Sequence, residues 1–279
     1  MSTFSSSPAL PACIAFIGGG NMASAIIGGL LRQGVAAEQI EVVEPFEAAR
    51  AALLEHFGIR AQAEAGSALA RAELVIWAVK PQTFKEAAAA VAPHTADALH
   101  LSVAAGIPTD SIANWLGSER IVRAMPNTPA LIGQGMTGLF ARPAVDAQAR
   151  ALVEQVVAST GKHVWVEEEA QIDAVTALSG SGPAYVFLFL EAMVQAGVEM
   201  GLGAHQSYQL AVATFQGASE LAARSSEPVD VLRQRVTSKG GTTHAAISHL
   251  QQAGVPEQFV AAMRAAEQRA KELAEEFGR

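Results

Sequence analysis

The chain has 279 residues, half of them hydrophobic and 16% charged, with a formal net charge of −8. That length can bury a large core and exceeds the usual size of one compact domain, so one large or two modest domains are expected. The negative balance argues against nucleic acid and anionic membrane surfaces as partners, and it leaves any anionic ligand to be held by local groups.

Residues 1–12, rich in Ser and Pro, read as a flexible N-terminal tail. No Lys or Arg occurs before Arg32, so the expectation is a chain without a secretory or transit leader. The one cysteine, Cys13, cannot form an internal disulfide, which fits a reducing, cytoplasmic compartment. An apolar strand at 14–17 then runs straight into Gly18-Gly19-Gly20-Asn21-Met22-Ala23 and a helix reaching about Gly34. This is the dinucleotide pattern G-x-G-x-x-G/A: Gly18 makes the tight turn, Gly20 lets the backbone approach a pyrophosphate, and Ala23 keeps the helix close to the strand. The plain alternative is a structural strand-to-helix turn. Context favours the fingerprint, because a second strand, 40–43, ends on Glu44, where a carboxylate meets ribose hydroxyls in such folds.

Further strands are predicted at 59–62, 73–79, 99–104, 120–124, 136–140 and 163–166, with helices at 46–57, 67–72, 83–91 and 109–116. Alternation of this kind describes an α/β, Rossmann-like doubly wound sheet. Ligands bind beyond the carboxyl ends of its strands. Ala78-Val79-Lys80-Pro81, Ala104-Ala105-Gly106 and Met125-Pro126-Asn127 stand at three such ends, and their small side chains and prolines suit a rigid floor for a nicotinamide, with Lys80 or Asn127 as polar contacts. Prolines that merely terminate strands are the bland reading of each taken singly.

From residue 169 onward only helices are predicted, at 170–178, 184–200, 205–224, 229–235, 243–253 and 257–277. The boundary is therefore expected near 167–169, giving a dinucleotide-binding domain over 13–168 and an all-α domain over 169–279. Within the second, 183–202 is strongly apolar, yet Glu191, Gln195 and Glu199 form a polar stripe that lipid would not tolerate, so a buried helix or a subunit contact is expected rather than a membrane span. Ser179-Gly180-Ser181-Gly182-Pro183 before it offers small residues where a cofactor or a second helix can approach.

Thr237-Ser238-Lys239-Gly240-Gly241-Thr242-Thr243 packs two glycines and four hydroxyls into a turn that opens a helix. Successive N–H groups there can converge on a carboxylate or phosphate at the positive helix end, with Lys239 adding charge. Ordinary capping is the competing reading. Of the seven histidines, His244 and His249 lie five apart and do not share a helix face, and no metal-ligand spacing occurs.

The motifs Phe16-Ile17-Gly18-x-Gly20-Asn21-Met22, Ala78-Val79-Lys80-Pro81, Ala104-Ala105-Gly106, Met125-Pro126-Asn127-Thr128-Pro129, Leu178 to Tyr185 and Gly240-Gly241-Thr242-Thr243 together resemble the pyrroline-5-carboxylate reductase family, in its order and at about its spacing. The resemblance implies NADPH- or NADH-dependent reduction of 1-pyrroline-5-carboxylate to L-proline, and a helical domain that forms a homodimer or larger assembly. It implies cofactor contacts from Gly18, Gly20, Asn21, Met22, Glu44, Ala78, Val79, Lys80, Pro81, Ala104, Ala105, Gly106 and Asn127. The substrate carboxylate would be gripped by Ser238, Gly240, Gly241, Thr242 and Thr243, with the Thr243 hydroxyl nearest the imine nitrogen. Lys239 departs from the proline common in the family. Glu44 suits a free ribose whereas many relatives use NADPH, and Arg50 lies six residues on, so both cofactors stay open. Two other functions are weighed: a hydroxyacid-type dehydrogenase, which generally needs a Lys on a long helix, and a dinucleotide-binding sensor without turnover.

Overall fold

The computed structural model describes residues 11–279. The expected tail, apart from Pro11 and Ala12, lies outside the described residues. Backbone packing divides the chain into two compact units, one running through Ser181 and regaining Ala266–Arg279, the other comprising Gly182–Ala265.

The first unit is built on a seven-stranded sheet of order β2-β1-β3-β4-β5-β6-β7. Its strands are β1 (Ile14–Ile17), β2 (Ile40–Val43), β3 (Leu74–Trp77), β4 (Leu99–Ser102), β5 (Ile121–Met125), β6 (Gly135–Ala141) and β7 (Gly161–Trp165). β1 to β5 run parallel, β6 is antiparallel to β5, and β7 is parallel to β6. Parallel strands are covered on both faces and so read as continuous apolar runs, here Ile-Ala-Phe-Ile and Leu-Val-Ile-Trp. The period of two divides them between separate cores. Ile14, Phe16, Leu74 and Ile76 face one layer with Ile26, Ile27 and Leu30 of α1 (Asn21–Arg32) and Val153 and Val156 of α5 (Ala147–Ala158). Ala15, Ile17, Val75 and Trp77 face the other, with Phe84 and Ala88 of α3 (Pro81–Val91) and Ile112 and Leu116 of α4 (Thr109–Leu116). Trp77 stacks on Phe84 with ring centroids 4.7 Å apart.

Two local expectations are corrected. Residues 59–62 do not form a strand: after α2 (Glu47–Phe57) only Gln62 meets β2, exchanging main-chain bonds with Val42 and Glu44 at 2.8 Å, and the chain then bends away through 63–66. Conversely, α5 stands where no helix was predicted. Asp146 caps it by accepting from Ala149 N–H at 2.8 Å, and Ala149, Val153, Val156 and Val157 face the core at helical spacing, which supplies the crossover a parallel β6–β7 pair requires.

α6 (Gln171–Val175) continues into a wide π-turn, Thr176–Gly180, closed by Ser181 N–H donating to Thr176 O at 2.8 Å. Thr176 and Ser179 turn their hydroxyls onto the carbonyls of Ile172 and Val175, and such competition with the helical ladder loosens it. The second unit holds α7 (Gly182–Glu199), α8 (Ala204–Arg224), α9 (Val229–Arg235), α10 (Thr242–Gln252) and the first half of α11 (Val255–Phe277).

Candidate active site

The strand order reverses between β1 and β3, and a doubly wound sheet opens its ligand crevice beyond the carboxyl ends of the strands at that point. The turn after β1 and the end of β3 are locked together there. Ala78 N–H donates to Ile17 O and Gly18 N–H to Val43 O, both at 2.8 Å. Gly18 has φ +94°, and a Cβ on it would lie 2.6 Å from the Ala78 carbonyl oxygen, so only glycine fits. Gly20, by contrast, faces open space and caps α1 without any side-chain bond, and no acidic residue stands in the first turn of that helix. A bare, positive helix end beside a glycine that admits close approach is a fitting seat for a dinucleotide pyrophosphate.

The other residues expected to meet the cofactor gather on the same edge of the sheet. Ala78 and Val79 follow β3, Lys80 is exposed, and Pro81 opens α3. Ala104, Ala105 and Gly106 follow β4, tied in by Val103 N–H donating to Trp77 O at 3.0 Å. Asn127 follows β5 and spends its amide within the chain: Nδ2 donates to Ser179 O at 3.0 Å and Oδ1 accepts from Met136 N–H at 2.9 Å. It thereby fixes the π-turn to the sheet.

Glu44 is 6% exposed. Its Oε2 accepts from Gly19 N–H at 2.7 Å and its Oε1 from Phe46 N–H at 2.8 Å, so the carboxylate braces the glycine turn from below. Arg50 reaches back to the same corner, with Nη1 donating to Glu44 O at 3.0 Å and Pro45 O at 2.6 Å.

A buried charge network is centred on Arg123, in the middle of β5. Arg123 donates from Nη1 to Glu169 Oε1 at 3.1 Å, and its Nη2 lies 3.6 Å from Asp173 Oδ1. Glu169 also accepts from Thr109 N–H at 2.7 Å and from the Thr109 hydroxyl, capping α4 from outside. Burial raises the Asp173 carboxyl above the ordinary range, with Arg123 opposing the shift. A lone arginine in an apolar strand signals a buried partner, but nothing local in the sequence names Glu169, 46 residues away.

In the second unit, Gly241 caps α10 and its N–H donates to Ser238 O at 3.0 Å. Gly240 has φ +78°, the left-handed geometry that turns the chain into the helix. No side chain caps this end. Ser238, Gly240, Gly241, Thr242 and Thr243 are thus gathered at one bare helix N-terminus, with Lys239 exposed beside it. Among the described residues no cluster of three or more His, Cys, Asp or Glu side chains could hold a metal.

Comparison with known proteins gives this arrangement its context. A family model for pyrroline-5-carboxylate reductase dimerisation matches residues 169–273, and one described as NADP oxidoreductase, coenzyme F420-dependent, matches residues 13–106. A pyrroline-5-carboxylate reductase of Pseudomonas aeruginosa is 45% identical over 95% of this chain and 98% of its own. Among solved structures, a pyrroline-5-carboxylate reductase of Coxiella burnetii superposes with a TM-score of 0.88 at 39% identity, covering 94% of this chain and 98% of its own. A Plasmodium falciparum pyrroline carboxylate reductase, solved with NADP bound, gives 0.85 at 27% identity over 94% and 98%. With relatives this similar along nearly its whole length, the chain belongs to the pyrroline-5-carboxylate reductase family.

Proposed function

We propose that the protein reduces 1-pyrroline-5-carboxylate to L-proline, the last step of proline synthesis, with NADPH or NADH as the reductant. The observation that carries the reading is the near full-length match to a curated reductase. The geometry supports it on both sides of the reaction. A bare α1 N-terminus, a glycine that only glycine can replace and a small-residue floor after β3 and β4 suit a nicotinamide dinucleotide. A bare α10 N-terminus suits the substrate carboxylate.

When bound, the reduced nicotinamide supplies the hydride that the imine carbon accepts. The chain's own work is orientation and charge. Gly18, Gly20, Asn21 and Met22 cradle the pyrophosphate, and Ala78, Val79, Lys80, Pro81, Ala104, Ala105 and Gly106 line the nicotinamide end. Glu44 and Asn127 serve the same site by holding the glycine turn and the π-turn. Ser238, Gly240, Gly241 and Thr242 orient the substrate through its carboxylate, and the Thr243 hydroxyl hydrogen-bonds the imine nitrogen. An imine is basic enough to arrive protonated, so no strong protein acid is required.

We assign function by region: dinucleotide binding to 13–168, substrate binding and dimerisation to 169–279. The helical stretch Gln171–Glu199 is long and apolar enough to cross a membrane by composition. The dimerisation match over the same residues favours a second subunit as its cover. A homodimer or larger homo-oligomer, active in the cytoplasm, is the form proposed. A hydroxyacid-type dehydrogenase is disfavoured because α7 contains no lysine. The test is purified protein with 1-pyrroline-5-carboxylate and either cofactor: substrate-dependent loss of reduced-nicotinamide absorbance with proline as product is expected. Nucleotide binding without oxidation would make the protein a sensor.

A further inference from the structure

The corner at the end of β2, where the adenosine ribose lies in dinucleotide folds, holds one carboxylate and one guanidinium of opposite consequence. A free carboxylate there accepts the ribose hydroxyls and repels a 2′-phosphate. Glu44 is not free. Both of its oxygens already accept short, charge-assisted main-chain bonds, from Gly19 at 2.7 Å and Phe46 at 2.8 Å, and the residue is 94% buried. Turning it toward a ribose would leave two N–H groups without acceptors, one of them in the glycine turn itself.

Arg50 is placed the other way. It is half-buried, and one nitrogen, Nη1, anchors it to the Glu44 and Pro45 carbonyls at 3.0 and 2.6 Å. Those carbonyls are the first two beyond β2, so the guanidinium is fixed at the strand's exit. Nη2 and Nε are left over, and no acidic side chain pairs with Arg50 among the described residues. A preoriented guanidinium with spare donors matches phosphate geometry, and the two carbonyls restrict its rotation so that little entropy is lost on binding.

From these two side chains we propose that Arg50 is the specificity residue for the phosphorylated cofactor: it binds the 2′-phosphate of NADPH, while Glu44 is a positioning residue that shapes the glycine turn for either nucleotide. This deepens the reading above and rests on its assignment of a nicotinamide cofactor.

The test is calorimetric titration of the full-length protein with NADPH and NADH, and with 2′,5′-ADP against 5′-AMP, in the absence of imine. Wild type is expected to bind the 2′-phosphorylated member of each pair about 10- to 100-fold more tightly, the scale of one or two hydrogen bonds between charged groups. Arg50→Gln should remove most of that ratio by weakening the phosphorylated ligands alone. Glu44→Gln should weaken both cofactors in equal proportion and leave the ratio standing, with 2′,5′-ADP discrimination as the readout that a general loss of structure would not preserve. Equal wild-type affinities, a ratio untouched by Arg50→Gln, or selective loss of NADH in Glu44→Gln would each overturn the proposal. Failure to bind either nucleotide would overturn it together with the cofactor assignment. Strong discrimination without imine reduction would leave it intact and refute the reductase reading alone.

Discussion

His100 on β4 is 1% exposed and accepts a hydrogen bond at its Nδ1 from Trp77 Nε1–H at 3.2 Å. Desolvation lowers its pKa to about 4, a hydrogen bond to the Thr95 main chain opposing the shift. The folded protein therefore holds this imidazole neutral while the unfolded chain, with an ordinary value near 6.5, takes up a proton. Between those values the unfolded state binds more protons, so stability rises with pH through the window and is lost as pH falls from about 6.5 to about 4, by at most about 3 kcal/mol. His100→Gln, which keeps an acceptor for Trp77, should flatten that slope in denaturant titrations across the same range. Thr243 carries a different prediction. Thr243→Ala keeps the main-chain N–H and removes only the hydroxyl, so turnover should fall about 10- to 100-fold with cofactor affinity unchanged if the hydroxyl meets the imine nitrogen. A capping role would instead cost about 1 kcal/mol of thermal stability with turnover intact. Residue identities were legible to different depths. The glycine fingerprint is a local pattern, whereas the bonds of the Asn127 amide to Ser179 and Met136 join partners no spacing rule reveals.

The glycine turn gives a sharp contrast at the level of a single element. Gly18→Ala places a methyl against the Ala78 carbonyl at a backbone angle hostile to L-residues, and should destabilise the fold by about 2–4 kcal/mol. Gly20→Ala meets nothing within 4 Å at an ordinary angle and should leave stability within about 0.5 kcal/mol. The added methyl faces the space assigned to the pyrophosphate, so nucleotide affinity should fall all the same. Thermal melts and nucleotide titration on the two variants separate the structural glycine from the binding one. Elements themselves were read well where burial is two-sided and the apolar run unbroken, as in β1 and β3. They were misread where the pattern is thin. Residues 59–62 carry too little β-signal for more than one bridge, and α5, whose buried positions are all Ala and Val, has a weak apolar stripe, although Asp146 was a visible start signal.

At the scale of the whole molecule, α7 leaves Phe187 58% and Leu188 63% exposed, apolar surface that a stable fold does not present to water over a whole helix. In the proposed dimer this face is covered. Leu188→Glu should then shift the protein toward monomer in light scattering at micromolar concentration, with activity lost in parallel; an active monomer would show that catalysis needs only one chain. The compact units part after Ser181. The reason is that α6 and the π-turn pack with the sheet through Arg123, Glu169 and Asn127, ties invisible to a reading of helix content.

The closing half of α11 belongs to the first unit, and this bears on how the protein comes into being during synthesis. Leu273 lies where a Cβ on Gly106 would be 2.9 Å from its own, Ser111 donates its hydroxyl to Gly278 O, and Lys85 donates to Arg279 O at 3.3 Å. These partners are translated more than 150 residues after the segments they meet. The sheet can assemble early from its own strands, but the loop after β4 and the start of α4 wait for residues 266–279 to be sealed. A nascent chain stalled anywhere before Ala266 would therefore expose unfinished sheet-side surface to chaperones, however well its glycine turn had already formed.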